Sequence, residues 1–228
     1  MGKLEKFREN ETFSCLYQPD TMYDSVEPFF MRGKWSGSFG NESPIILEAG
    51  CGQGTYTLDM AERHPELNYI GMDIKGARIW HGAKLAELRK TPNVRFLRAR
   101  SELCGKFFAG GEISGIWLTF PDPNVKNCAK RRRFMHPFFL SVFSSFLKKD
   151  GSITLKTDSD FLFDYGMDII KKNSLRISVF SEDVHSDKAL AGTDYDELTT
   201  VYEKRFMAEG KKIKLVSFHL DGKREFTE

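Results

Sequence analysis

Ile45-Ile46-Leu47-Glu48-Ala49-Gly50-Cys51-Gly52-Gln53-Gly54-Thr55 carries an apolar, strand-like run into three glycines at alternate positions, after which a helical pattern opens. Glycine at such a turn lets the chain reverse sharply and lets a ligand approach the backbone. The helix that follows presents free N–H groups at its first turn. In an open α/β sheet the carboxyl end of the first strand is where ligands bind. The spacing is GxGxG: Thr55 stands where a dinucleotide fingerprint needs its third glycine. Glu48 at the strand end suits a ligand with an ammonium group and repels a pyrophosphate. Asp73, at the end of the next apolar run, is placed to accept the hydroxyls of a ribose. Three glycines with two strand-end acids fit S-adenosylmethionine better than a nicotinamide dinucleotide.

Outward from this turn, strand-like runs recur at 69–72, 94–97, 116–120, 153–157, 176–180 and 213–218, with helical patterns at 55–64, 76–90, 136–148 and 159–173. In the last of these, Phe161, Tyr165, Met167, Ile169 and Ile170 fall near one face. This alternation predicts an α/β fold with a mostly parallel sheet covered on both sides. Residues 1–44 have weak periodicity and read as an irregular N-terminal extension, with 45–228 as one domain. The acidic stretch Glu182 to Glu197 reads as a flexible surface loop.

The chain has 228 residues, 40% hydrophobic and 29% charged, the mix of an ordinary globular protein. No apolar run approaches the roughly 20 residues that span a bilayer, and the charged N-terminus lacks a signal-peptide pattern. Cys15, Cys51, Cys104 and Cys128 form no CxxC pair, and the five histidines lack metal-ligand spacing, so neither a zinc site nor a disulfide framework is expected. Reduced thiols and a cytoplasmic location are the expectation. Net charge is only +2, so a nucleic-acid partner must be gripped by a local patch.

That patch follows the run 116–120, which ends in Pro121-Asp122-Pro123-Asn124-Val125-Lys126. Proline fixes φ and restrains its predecessor, giving a stiff exit that holds Asp122 at the same crevice as Glu48 and Asp73. Lys126, Lys130, Arg131, Arg132 and Arg133 put five cations into eight residues there, an arrangement suited to phosphate contacts.

Three separated pieces resemble the bacterial-type tRNA (guanine-N7-)-methyltransferases. They are Glu48-Ala49-Gly50-Cys51-Gly52-Gln53-Gly54, Phe120-Pro121-Asp122-Pro123 with the basic run, and Lys156-Thr157-Asp158 with the later Thr200-Val201-Tyr202-Glu203. The resemblance covers about 45–218. It implies a Rossmann-like class I methyltransferase with a seven-stranded sheet, which methylates N7 of a tRNA guanine, the variable-loop guanine at position 46. By the same resemblance Glu48, Gly50, Gly52, Gly54 and Asp73 bind S-adenosylmethionine. Asp122 lies between cofactor and target base. Lys126, Asp158, Thr200, Val201, Tyr202 and Glu203 contact the substrate, and Lys130, Arg131, Arg132 and Arg133 form an RNA-contacting loop. The implied partner is tRNA, with no membrane and no metal, and a monomer or homodimer is expected. Asn124 stands where many members have Trp, Ala129 replaces a usual His, and Arg100 aligns with a usual acid. A methyltransferase acting on another RNA and an inactive tRNA-binding homologue remain the alternatives.

Overall fold

The strand-like runs at 45–218 all become strands of one sheet in the computed structural model, which describes residues 2–19 and 29–228. In chain order the elements are α1 (Lys3–Asn10), β1 (Leu16–Tyr17), α2 (Trp35–Phe39), β2 (Ile45–Ala49), α3 (Thr55–Arg63), β3 (Asn68–Asp73), α4 (Gly76–Arg89) and β4 (Val94–Arg98). Then follow α5 (Cys104–Phe107), β5 (Ile113–Thr119), α6 (Pro137–Ser144), β6 (Leu147–Thr157), α7 (Asp160–Lys172), β7 (Arg176–Ser181), α8 (Asp194–Glu197), α9 (Val201–Ala208) and β8 (Lys214–His219).

The sheet order is β1-β4-β3-β2-β5-β6-β8-β7; β8 runs antiparallel to both neighbours and the other pairs are parallel. Strand order therefore reverses between β2 and β5, where Glu48 is in register with Trp117. A crevice outside the carboxyl ends of these two strands is the expected ligand position for this topology. The sheet has eight strands rather than seven, because Leu16 and Tyr17 pair with Phe96 and Leu97 at the β4 edge.

The N-terminal region is more regular than its sequence pattern predicts. Helix α1 packs against α4. Trp35 is fully buried, and its indole N–H donates to the Phe107 carbonyl at 2.9 Å. Residues 20–28 of the expected extension lie outside the described residues. The helix expected at 136–148 stops at Ser144, because Leu147 pairs with Ile113 of β5 and starts β6. On α7 the buried face is Leu162, Phe163, Gly166, Ile169 and Ile170, while Phe161 and Tyr165 stand beside it.

Apolar residues of the sheet and of α5, α6 and α7 form the largest core, with Phe139, Phe143 and Phe146 inside it. Residues of α3, α4 and the β3–β4 strands build a second layer on the other face. The segment between β7 and β8 covers a third cluster around Val184, Leu190, Ile213 and Leu215. The acidic stretch 182–197 is thus anchored rather than loose. Asp194 pairs with Arg63 at 2.7 Å and with His64 at 2.7 Å, and the Tyr195 ring lies 5.6 Å from Trp117.

Candidate functional site

Gly50, Gly52 and Gly54 adopt φ of +81°, +57° and +71°, the left-handed region that side chains resist. Two of them illustrate different needs. A Cβ on Gly54 would lie 2.4 Å from the Phe96 ring, so that position is closed by packing. A Cβ on Gly52 would meet nothing within 4 Å, so that position faces open space. Phe96, on β4, also fills the room left by Gly71 and Gly82: Cβ atoms there would come within 2.8 and 2.9 Å of its ring. The ring braces the loop from below, a contact that the spacing of the motif gave no sign of.

Asp73 ties the loop down. Its Oδ2 accepts the Gly52 N–H at 3.0 Å and its Oδ1 accepts the Lys75 N–H at 2.7 Å. Each carboxylate oxygen keeps a further lone pair for a ligand hydroxyl. Helix α3 begins at Thr55 with no side-chain cap, so its first N–H groups remain available to an anionic group. Ile74, exposed beside Asp73, offers an apolar surface at the same strand end. A carboxylate-bearing, ribose-containing ligand fits this donor set.

Glu48 sits differently from its expected role. It is buried beneath the turn, its side chain accepting hydrogen bonds from the hydroxyls of Thr57 on α3 and Thr119 on β5. Burial outweighs these bonds and pushes its carboxyl up to about 7. A carboxyl so enclosed shapes the floor of the site and links β2 to β5 across the switch point, instead of standing open to a ligand.

At the end of β5, Phe120 has φ of +46°, an outlier for a bulky residue, held by its N–H donating to the Lys156 carbonyl at 2.9 Å. The kink aims the Pro121-Asp122-Pro123 exit outward. Asp122 is exposed, and its carboxylate has no hydrogen bond or ion pair among the described residues. Asn124 also takes φ of +46°, and its side-chain amide donates to the Asp122 carbonyl at 3.0 Å. Asparagine tolerates this conformation far better than tryptophan, a physical reason for the residue found here.

The basic run divides. Lys126 and Arg132 are exposed and carry no ion pair or ring contact among the described residues. Lys130 pairs with Glu228 at 2.9 Å, and the Arg131 guanidinium lies over Phe138 at 4.5 Å. Arg133 departs from its expected RNA contact: it is only 4% exposed, and its guanidinium donates to the carbonyls of Asn124 at 3.1 Å and Val125 at 3.2 Å.

The later motif divides in the same way. Asp158 pairs with Lys211 at 3.1 Å. Thr200 and Glu203 form a capping box at the start of α9, the Thr200 hydroxyl accepting the Glu203 N–H at 2.9 Å. Val201 and Tyr202 point to solvent. Glu203, expected at the substrate, is 0% exposed and pairs with the equally buried Lys156 at 2.7 Å, an anchor for the start of α9. Its side chain also meets His185 Nε2 at 2.9 Å, and His185 Nδ1 meets Asp196 at 2.9 Å. Lys156 donates as well to the Leu198 carbonyl at 3.0 Å, and burial lowers the pKa of its ammonium group. The acids nearest His185 in sequence, Asp183 and Asp187, are not the ones it meets. Its partners lie 11 and 18 residues away, outside any local pattern. Arg100, where the resemblance expects an acid, pairs with Glu102 at 3.6 Å.

A family model described as "Putative methyltransferase" matches residues 42–216. The chain is 42% identical to a tRNA (guanine-N(7)-)-methyltransferase of Bacteroides thetaiotaomicron, over 96% of this chain and 86% of that one. It is 38% identical to a protein of the same description from Christiangramia forsetii, over 96% and 98% of the two chains. Its fold resembles the crystal structure of the 16S rRNA methyltransferase KamB with a TM-score of 0.60, at 14% identity over 82% of this chain and 92% of that one. No helix among the described residues is long and apolar enough to cross a membrane.

Proposed function

We infer the reaction from one premise: this chain belongs to the tRNA (guanine-N7-)-methyltransferase family. We propose that it moves a methyl group from S-adenosylmethionine to N7 of a guanine in tRNA, with the variable-loop guanine at position 46 as the finer assignment. The observation that carries this reading is that the ligand-ready glycine turn and the exposed Asp122 carboxylate, which has no partner among the described residues, follow the neighbouring strands β2 and β5 at the switch point.

When bound, S-adenosylmethionine supplies an electrophilic methyl group on a sulfonium. The residues that would hold it are the 50–54 turn with the uncapped start of α3, Asp73, whose carboxylate would suit a ribose, and the exposed apolar side chain of Ile74. Glu48 acts from beneath: a cation held above the turn favours its ionised form and offsets the penalty of burial. Guanine N7 carries an in-plane lone pair and no proton, so its attack needs no strong base. Asp122 therefore acts electrostatically, stabilising positive charge that develops on the base. Holding the base in line for attack is the larger part of the catalytic task.

In this reading Lys126, Lys130, Arg131 and Arg132 meet tRNA phosphates, and Asp158, Thr200, Val201 and Tyr202 contact the substrate. Glu203 contributes by fixing α9. The target base must be reachable, which favours an unpaired nucleotide. Labelled S-adenosylmethionine incubated with unmodified tRNA should yield N7-methylguanine at one mapped position. Cofactor binding without methyl transfer would point instead to a tRNA-binding homologue that has lost catalysis, and label in another RNA to a different substrate.

A further inference from the structure

Arg133 closes the basic run in sequence but leaves it in space. Its guanidinium lies between the rings of Phe161 and Tyr165 on α7, 4.7 Å from each centroid. Its edge donates to the two successive carbonyls of Asn124 and Val125. A flat guanidinium can bridge two acceptors and stack on aromatic faces at once, which a lysine ammonium cannot. Tyr165 is held in turn, its hydroxyl donating to Glu228 at 2.9 Å, and Glu228 also pairs with Lys130. Asn124 links this clamp to Asp122, accepting from Arg133 through its backbone and donating to the Asp122 carbonyl through its side chain.

We propose that Arg133 is a positioning residue for Asp122, a buried clamp that holds the Asp122–Val125 exit in its left-handed turn against α7. This rests on the electrostatic role given to Asp122 above. The clamp explains a cation that is 4% exposed beside a surface otherwise suited to phosphates. It also gives a contact to Phe161, an exposed aromatic residue of α7.

The test uses the full chain with Arg133→Met and Arg133→Lys, and Arg132→Gln as the exposed comparator. Turnover is normalised to bound S-adenosylmethionine per chain, tRNA binding is followed against salt, and amide hydrogen exchange is read across 122–132. Arg133→Met should lower kcat about 10- to 100-fold, as expected for a misplaced reacting-site group. Its salt slope for tRNA binding should match the parent, and amides 129–132, hydrogen-bonded in the turn that follows the clamped carbonyls, should exchange faster. Arg133→Lys should recover part of the turnover and part of the protection. Arg132→Gln should raise KM for tRNA and reduce the salt slope by about one, the signature of a lost phosphate contact.

If Arg133→Met shows that same signature with kcat preserved, Arg133 is a phosphate contact and the clamp is wrong. Should Arg133→Met fail to fold, Arg133→Lys decides: parental kcat and parental exchange overturn the proposal. Absent methyl transfer by the parent chain would sink the catalytic reading of Asp122 alone. The exchange data then still test the clamp, and unchanged protection at 129–132 in both variants refutes it.

Discussion

The glycine turn at 50–54 and the basic run at 126–133 leave neighbouring strands, yet they relate to their sequences in opposite ways. In the turn, each glycine sits in a conformation that glycine alone adopts easily, and the backbone does what the spacing implies. In the basic run, residues of one charge divide into exposed cations, a cation paired with Glu228, one stacked on Phe138 and one buried clamp. A motif defined by backbone conformation transfers directly from sequence to structure. A motif defined by charge does not, because what a charge does depends on partners brought from elsewhere in the chain.

The sharpest way to break this contrast lies in the later motif, where the buried Lys156–Glu203 pair fixes α9. Removing one partner of a buried pair strands the other charge, so Lys156→Met should cost about 3–5 kcal/mol of stability in urea unfolding. A loss below about 1 kcal/mol, with tRNA affinity reduced, would return Glu203 to a direct substrate role. Gly54→Ala comes next, at about 3 kcal/mol, combining a left-handed residue with a methyl group driven into the Phe96 ring. Pairing it with Phe96→Leu should relieve part of that cost; if it does not, the ring is not what closes the position.

Glu48 carries a pH-dependent effect. Its folded carboxyl is raised to about 7 from 4.5, so the folded chain holds a proton that the unfolded chain releases earlier. Its ionisation costs nothing below about pH 4.5, and the cost grows as pH rises to about 7 and stays constant above. Glu48→Gln should therefore stabilise the cofactor-free protein by up to about 3 kcal/mol at pH 8 and by little at pH 4. The same variant should bind S-adenosylmethionine more weakly in calorimetry. Equal melting shifts at both pH values would show that burial does not perturb this group. The smallest effect in energy is on turnover: Asp122→Asn should lower kcat about 100-fold while tRNA and cofactor affinities hold. Normal turnover in that variant would refute the electrostatic role.

Phe120 marks where local preference gives way. Nothing in Ile116-Trp117-Leu118-Thr119-Phe120 signals a left-handed residue, and the strand reading extended through it. The Phe120 N–H bond to Lys156 and the ring contact with Phe206 at 5.9 Å hold the kink, and both partners lie beyond the reach of local sequence. Trp35 and Leu16 teach the same lesson at the N-terminus, where weak periodicity hid a core residue and an eighth strand. A two-residue strand and a five-residue helix are too short for a period to register.

By itself the sequence determined the order of the strands from β2 to β8 and of the longer helices between them, the glycine turn, the strand-end position of Asp73 and the stiff exit at Asp122. These are matters of backbone conformation and side-chain alternation, decided within a few residues of chain. Only the tertiary structure decided that Glu48 lies beneath the turn, that Glu203 and Arg133 are buried, and that Lys126, Arg132 and Asp122 are exposed, with no ion pair among the described residues. The physical reason is range: glycine and proline set φ within their own few residues, whereas the kink at Phe120 and the work of a charge are set by what the fold places against them.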